Sequence, residues 1–213
     1  AQGLVLGGFI QGVNVVDGEF VGGPLDWLTP FSLLVAASLV AGYALLGAGW
    51  IVFKTEGELF ERARGWVKRL ALLSALGMGA VSLATLSVDP RVTERWGLTM
   101  TSIDWPVFIK LAPLPLVAGA LCFLLWRGAD LHRHSAPYLY GVGLFVVGYV
   151  GLAISLWPYI VPFEMTPAEA AAADNALALL LWGALPMLPI ILGYTAYVYW
   201  LFRAKVTDEA SYH

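Results

Sequence analysis

The stretch WLTPFSLLVAASLVAGYALLGAGWIVFKTEGEL, residues 27 to 59, decides the fold class of this chain. Its first 27 residues carry no charge, and Lys54, Glu56 and Glu58 then follow within five positions. Because an α-helix rises about 1.5 Å per residue, about 20 apolar residues cross the hydrocarbon core of a bilayer. The stretch therefore predicts a transmembrane helix that leaves the membrane at the KTEGE segment.

Further charge-free runs cover residues 70–88, 111–126, 134–163 and 175–202. The composition agrees with a membrane protein, at 59% hydrophobic residues, 13% charged residues and a mean hydropathy of +0.75. We predict an all-α polytopic transmembrane helix bundle. Its five complete spans are expected at about 30–53, 68–87, 106–127, 137–160 and 176–202.

The opening residues 1–16 are apolar but short, and neither an initial Met nor a basic segment precedes them. They do not resemble a signal peptide. We expect them to be the end of an earlier span in a longer protein. Residues 1–213 are expected to form a single integral membrane domain.

Basic residues predict the orientation, since cytoplasmic loops carry an excess of Lys and Arg. If the spans alternate, nine of the twelve basic residues fall on one side, in the segments 54–69, 127–136 and 203–205. Only Arg91, Arg95 and Lys110 fall on the other side. We therefore expect the loops 54–69 and 127–136 and the C-terminus to be cytoplasmic.

Few residues offer chemistry. The three histidines, His132, His134 and His213, lie in a short connection or at the last position, so no histidine inside a predicted span is available to ligate a haem. The single Cys122 excludes an intrachain disulfide and is interpreted as apolar filler. No catalytic, cofactor-binding or metal-binding residue is assigned, and no nucleic-acid partner is expected.

Two sets of polar residues remain as candidates. Asp104 and Lys110 lie at the mouth of the third span and about one turn inside it, where ionisable groups are functional candidates. Snorkelling of Lys110 to the surface is the simpler interpretation. Lys54, Thr55, Glu56 and Gly57 form a turn in which Glu56 could cap the next helix and Gly57 could take a positive φ.

Small residues predict close helix packing in lipid. On the first span they recur at four-residue spacing, as Ala37 with Ala41 and Ser38 with Gly42. This face could contact a partner subunit or other helices of the same chain. Pro186 and Pro189 are expected to interrupt and kink the fifth span.

Two long blocks carry a family resemblance. The first is DWLTPFSLLVAASLVAGYALLGAGWIVFKTEGELFERA, residues 26 to 63, and the second is GLAISLWPYIVPFEMTPAEAAAADNALALLLWGALPMLPIILGYTAYVYWLFRAKV, residues 151 to 206. Both resemble subunit II of the cytochrome bd quinol oxidases, as do the opening AQGLVLGGFIQGV and the closing Tyr212-His213. Within the first block, Lys54, Thr55, Glu56 and Gly57 match a motif of this family, which implies a structural role in the turn. The departures are Phe163, where a second proline is usual, and Ala204, where RGKV is usual.

This resemblance implies an eight-helix, haem-free subunit in a bacterial or archaeal inner membrane. Its partner would be subunit I, which holds haems b and haem d and the quinol site. The complex would oxidise quinol and reduce dioxygen to water in an electrogenic reaction of the respiratory chain. The proton-path carboxylates of the family lie in its N-terminal half, so none is carried onto this sequence.

Two other classes of function stay open at this point. One is half of a multi-pass small-molecule transporter, which would need polar groups converging at the membrane midplane on broken helices. The other is a structural subunit for membrane assembly without a redox partner.

Overall fold

The structure, a computed structural model, describes residues 1–13, 15–16, 19–98, 102–128 and 134–202. A short antiparallel pair, β1 (Val15–Val16) and β2 (Glu19–Phe20), interrupts the otherwise helical chain. The helices are α1 (Gln2–Gln11), α2 (Pro30–Lys54), α3 (Gly57–Thr85), α4 (Pro90–Arg95), α5 (Trp105–Leu111), α6 (Pro113–Gly128), α7 (Ala136–Leu156), α8 (Pro167–Ala170) and α9 (Asp174–Leu201).

The five predicted spans are confirmed as helices. In the described part of the chain, five helical segments are long and apolar enough to cross a membrane: α2, α3, α5 joined to α6, α7 and α9. The third of these covers Trp105–Gly128 and breaks at Ala112, just before Pro113. The chain is an all-α polytopic helix bundle.

The expected loop over 54–69 is wrong, because α3 begins at Gly57. The charged residues of this segment alternate with Phe60, Ala63 and Val67, which are all buried. These three recur at spacings of three and four, which places them on one face of a helix. The helix therefore extends well beyond the apolar run that predicted its span.

Local sequence fixes where α2 begins. Thr29 is extended and its hydroxyl accepts a hydrogen bond from the Ser32 backbone amide at 3.0 Å. The Ser32 hydroxyl lies 2.9 Å from the Thr29 backbone amide, which completes a reciprocal cap. Pro30 occupies the first turn, where its missing N–H costs nothing.

The core lies between α2, α3, α6 and α7. Its buried members are Leu45, Ala48, Val52, Phe60, Ala63, Val67, Ala71, Leu125 and Leu144. Many large apolar side chains elsewhere on the long helices are exposed, which agrees with contact to lipid.

Helix α1 packs against the start of α2 through small residues. A Cβ added to Gly3 would lie 2.4 Å from the Ala36 Cα, and one added to Gly7 would lie 2.4 Å from the Ser32 Cα. Two glycines four residues apart thus let the two backbones approach closely.

Helix α9 stands apart from the core, since none of its residues is buried. The described contacts to α2 are at one end, where the rings of Trp50 and Tyr199 meet edge to face with centroids 6.3 Å apart. The helix runs continuously through Pro186 and Pro189, so the expected interruption of this span is wrong.

Candidate functional site

The turn between α2 and α3 is only two residues long. Thr55 closes α2, and both its amide and its hydroxyl donate to the Ile51 carbonyl, at 2.9 Å and 2.8 Å. Gly57 has a φ of +71°, in the left-handed region that a side chain disfavours. Glu56 precedes α3 but its side chain makes no capping hydrogen bond, so the expected cap is wrong.

Lys54 links this turn to the end of α9. Its Nζ donates to the Phe202 carbonyl at 2.9 Å, and it lies 5.2 Å from the centroid of the Trp50 ring and 5.5 Å from that of Phe53. The last carbonyls of a helix have no intrahelical donor and carry partial negative charge. The Lys54 cation therefore stabilises the packing of the end of α2 against the end of α9.

Asp104 and Lys110 are not paired, although both lie in the described part of the chain. Asp104 begins α5, where its Oδ1 accepts from the Val107 amide at 3.4 Å and its own amide donates to the Gly97 carbonyl at 2.8 Å. Asp104 thus caps a helix. Lys110 lies in the last turn of α5 with its side chain exposed, as snorkelling requires.

The small-residue face of α2 turns inward in part. A Cβ on Gly77 of α3 would lie 2.7 Å from the Ser38 hydroxyl oxygen, and one on Gly42 would lie 2.8 Å from Phe145 Cζ of α7. Ala41 is half-buried, whereas Ala37 is exposed. Ser38 and Gly42 therefore pack against other helices of this chain.

A cavity of about 430 Å³ lies among α1, α2, α3, α4, α6 and α7, and the sequence did not indicate it. Its lining is mainly aliphatic and aromatic. The polar groups in it come from Ser38, Ser74, Ser82, Thr85, Trp96, Tyr149 and Ser155. Among the described residues, none of those lining the cavity is ionisable at neutral pH, so the space suits an apolar molecule or chain.

Two of these polar groups define one end of the cavity. The Trp96 indole donates to the Ser155 hydroxyl at 3.0 Å, and this hydroxyl donates to the Gly151 carbonyl at 2.8 Å. Within the described part of the chain, the buried Ser74 hydroxyl has no hydrogen-bond partner.

Arg91 connects two segments of the chain, which the sequence did not indicate. It bonds to the Phe163 carbonyl at 2.9 Å, and its guanidinium lies over the rings of Tyr159 and Phe163. A hydrogen bond with the Tyr159 hydroxyl raises the pKa of Arg91, which favours the cationic form that lies over the two rings. Arg91 thus joins the end of the bundle that follows α3 to the segment that follows α7.

No candidate metal centre was found among the described residues. His134 stacks on the Phe60 ring with centroids 4.6 Å apart, just before α7 begins. His132 and His213 lie outside the described residues. Cys122 is half-buried against the core, which agrees with its interpretation as filler.

Sequence comparisons relate this architecture to known proteins. The family model for cytochrome bd terminal oxidase subunit II matches residues 1–202. The chain belongs to this family. It is 22% identical to the cytochrome bd-I ubiquinol oxidase subunit 2 of Escherichia coli K12 over an alignment of 238 positions. This alignment covers 97% of this chain and 62% of the relative. It is 24% identical to the cytochrome bd ubiquinol oxidase subunit 2 of Bacillus subtilis over 192 residues, 86% of this chain and 53% of the relative.

The chain thus spans less than two thirds of the length of these curated relatives. The expected family resemblance is confirmed. The five apolar helices place it in a membrane.

Proposed function

We propose that this chain is the haem-free subunit II of a cytochrome bd-type quinol:oxygen oxidoreductase. It supports a haem-bearing subunit I, which carries haems b and haem d, while the complex oxidises quinol and reduces dioxygen to water in an electrogenic reaction. The match of residues 1–202 to the family is the observation that carries this proposal. Residues 1–213 act as one membrane domain, and the chain alone is not catalytic.

The structure supports a scaffolding role in two ways. Lys54 and Arg91 each hold separate segments of the chain together at an end of the bundle, through hydrogen bonds to the Phe202 and Phe163 carbonyls. Asp104 is engaged in capping α5, which gives this carboxylate a structural task. We therefore assign Lys54, Thr55 and Gly57 to the geometry of the α2–α3 turn, and we place the complex in a bacterial or archaeal inner membrane.

The test is purification of the protein from its native membrane with the chains that accompany it. A reduced-minus-oxidised spectrum of the complex is expected to show haems b and haem d, and the complex should consume oxygen when given a quinol. The same chain expressed alone should insert into the membrane and bind no haem stoichiometrically. One haem per isolated chain would contradict the haem-free role, and a complex without haem would contradict the assignment to an oxidase.

A further inference from the structure

We infer that α3 carries a binding site for the headgroup of an anionic phospholipid, formed by Arg62, Gly65, Trp66 and Arg69. These residues stand at positions i, i+3, i+4 and i+7, which surround one shallow depression on the surface of a helix. All four are exposed, and they lie on the side of α3 opposite to the buried Phe60, Ala63 and Val67.

The depression is open at its centre because of Gly65. A Cβ added at this position would meet nothing within 4 Å. Trp66 forms one wall, with 44% of its surface exposed. Arg62 and Arg69 lie on either side of Gly65 along the helix axis, with backbone positions about 10 Å apart. This spacing lets two long, flexible arginine side chains converge on one phosphate group.

The charges of the site suit a phosphate. Arginine presents a planar set of donors that matches phosphate oxygens in a bidentate manner. Arg62 also pairs with Glu58, but the two side chains are 66% and 80% exposed. An ion pair this exposed contributes little, so the guanidinium can exchange it for a phosphate.

The level of the site in the membrane identifies the phosphate as that of a lipid. Helix α3 has 29 residues and a length of about 43 Å, which exceeds a hydrocarbon core of about 30 Å. Its charge-free run starts directly after Arg69, at residue 70. The site therefore lies at headgroup depth, where an exposed tryptophan is also favoured.

The surface below the site is apolar and faces outward. Continuing along the same face of α3, Leu73, Leu76 and Leu83 are 54%, 63% and 70% exposed. The acyl chains of a lipid held at the depression would lie along this stripe. A soluble phosphate compound could use the arginines but not the stripe.

The experiment uses the complete protein, purified with the chains that accompany it and titrated with dioleoyl-phosphatidylglycerol in native mass spectrometry. Dioleoyl-phosphatidylcholine, which has the same chains and no net charge, is the reference lipid. Arg62→Gln and Arg69→Gln are each expected to weaken phosphatidylglycerol binding about fivefold, since a basic residue near the membrane surface contributes about 1 kcal/mol to such binding. Phosphatidylcholine binding should not change, which also reports that each variant is folded.

A glycine pair supplies the matched control. Gly65→Leu should fill the depression and weaken phosphatidylglycerol binding, whereas Gly79→Leu, also on an open part of α3, should leave it unchanged. Equal effects of the two leucines, or wild-type binding by both arginine variants, would overturn the proposal. If 10 mM inorganic phosphate displaced phosphatidylglycerol, the site would bind anions in general, and the proposal of a lipid site would be wrong. Should Gly65→Leu fail to fold, the two arginine variants decide the result.

Discussion

At the scale of single residues, Gly42 tests whether the small-residue face of α2 packs inside this chain. A Cβ added at this position would lie 2.8 Å from Cζ of the Phe145 ring on α7. We expect Gly42→Leu to destabilise this chain itself, by about 1–3 kcal/mol for overpacking, rather than to release a partner subunit from a folded chain. Thermal unfolding of the purified complex and the cellular level of the chain measure this.

The control for this variant is Gly47→Leu on the same helix, because a Cβ at Gly47 would meet nothing within 4 Å. It should leave both stability and level unchanged. If the Gly42→Leu chain folded but no longer bound its partner subunit, the small-residue face of α2 would belong to the interface between subunits.

Gly57 offers a second test at this scale, since its φ of +71° penalises any side chain by about 1 kcal/mol and a β-branched one most. Gly57→Val should lower the amount of assembled complex more than the turnover of the complex that does assemble. Gly57→Asn, which tolerates this conformation better, should lie between wild type and valine. Normal assembly with lost turnover would assign Gly57 a direct role in the reaction.

Some of these residue roles could be predicted and others could not. The positive φ at Gly57 was expected because a glycine follows the end of an apolar run. The role of Asp104 as a cap could also have been predicted, since Asp followed by Trp-Pro is a typical helix start. The contacts of Gly42 and Ser38 could not, because spacing along one helix does not specify which of several neighbours will face it.

At the scale of elements, charge-free runs were enough to find all five spans, since lipid requires about 20 apolar residues in a helix. They failed for the first part of α3, which precedes its apolar run. There the charged residues mark the exposed face of an amphipathic helix, and Phe60, Ala63 and Val67 mark its buried face. Reading that periodicity, rather than charge alone, predicts the helix from Gly57 onward.

The attachment of α9 gives a prediction at the same scale. Its last turn is held by the hydrogen bond from Lys54 to the Phe202 carbonyl. We expect Lys54→Gln to speed amide hydrogen exchange in the last turn of α9, because a cation at a helix C-terminus contributes about 0.3–1 kcal/mol. Lys54→Arg should retain protection, and the first turn of α9 should not respond to either change. Unchanged exchange in Lys54→Gln would mean that other contacts hold this helix.

At the scale of the whole molecule, contacts across the bundle agree with alternating spans. At one end, Lys54 reaches Phe202 and His134 stacks on Phe60, which brings together the ends of α2 and α9 and the starts of α3 and α7. At the other end, Arg91 bonds to the Phe163 carbonyl. The two ends therefore correspond to the two sets of segments that the count of basic residues separates.

This arrangement leads to a prediction for orientation in the cell. The end with Lys54 belongs to the side with nine of the twelve basic residues, and cytoplasmic segments carry such an excess. A reporter fused after Val206 should therefore be active in the cytoplasm, and one inserted near Ala172, in the acidic segment before α9, should be active outside. Replacing all three basic residues of the other side, Arg91, Arg95 and Lys110, by Gln should leave this result unchanged, because the excess is then larger. If both reporters gave the opposite signal, the bundle would be inverted, and the depression on α3 would face the outer leaflet.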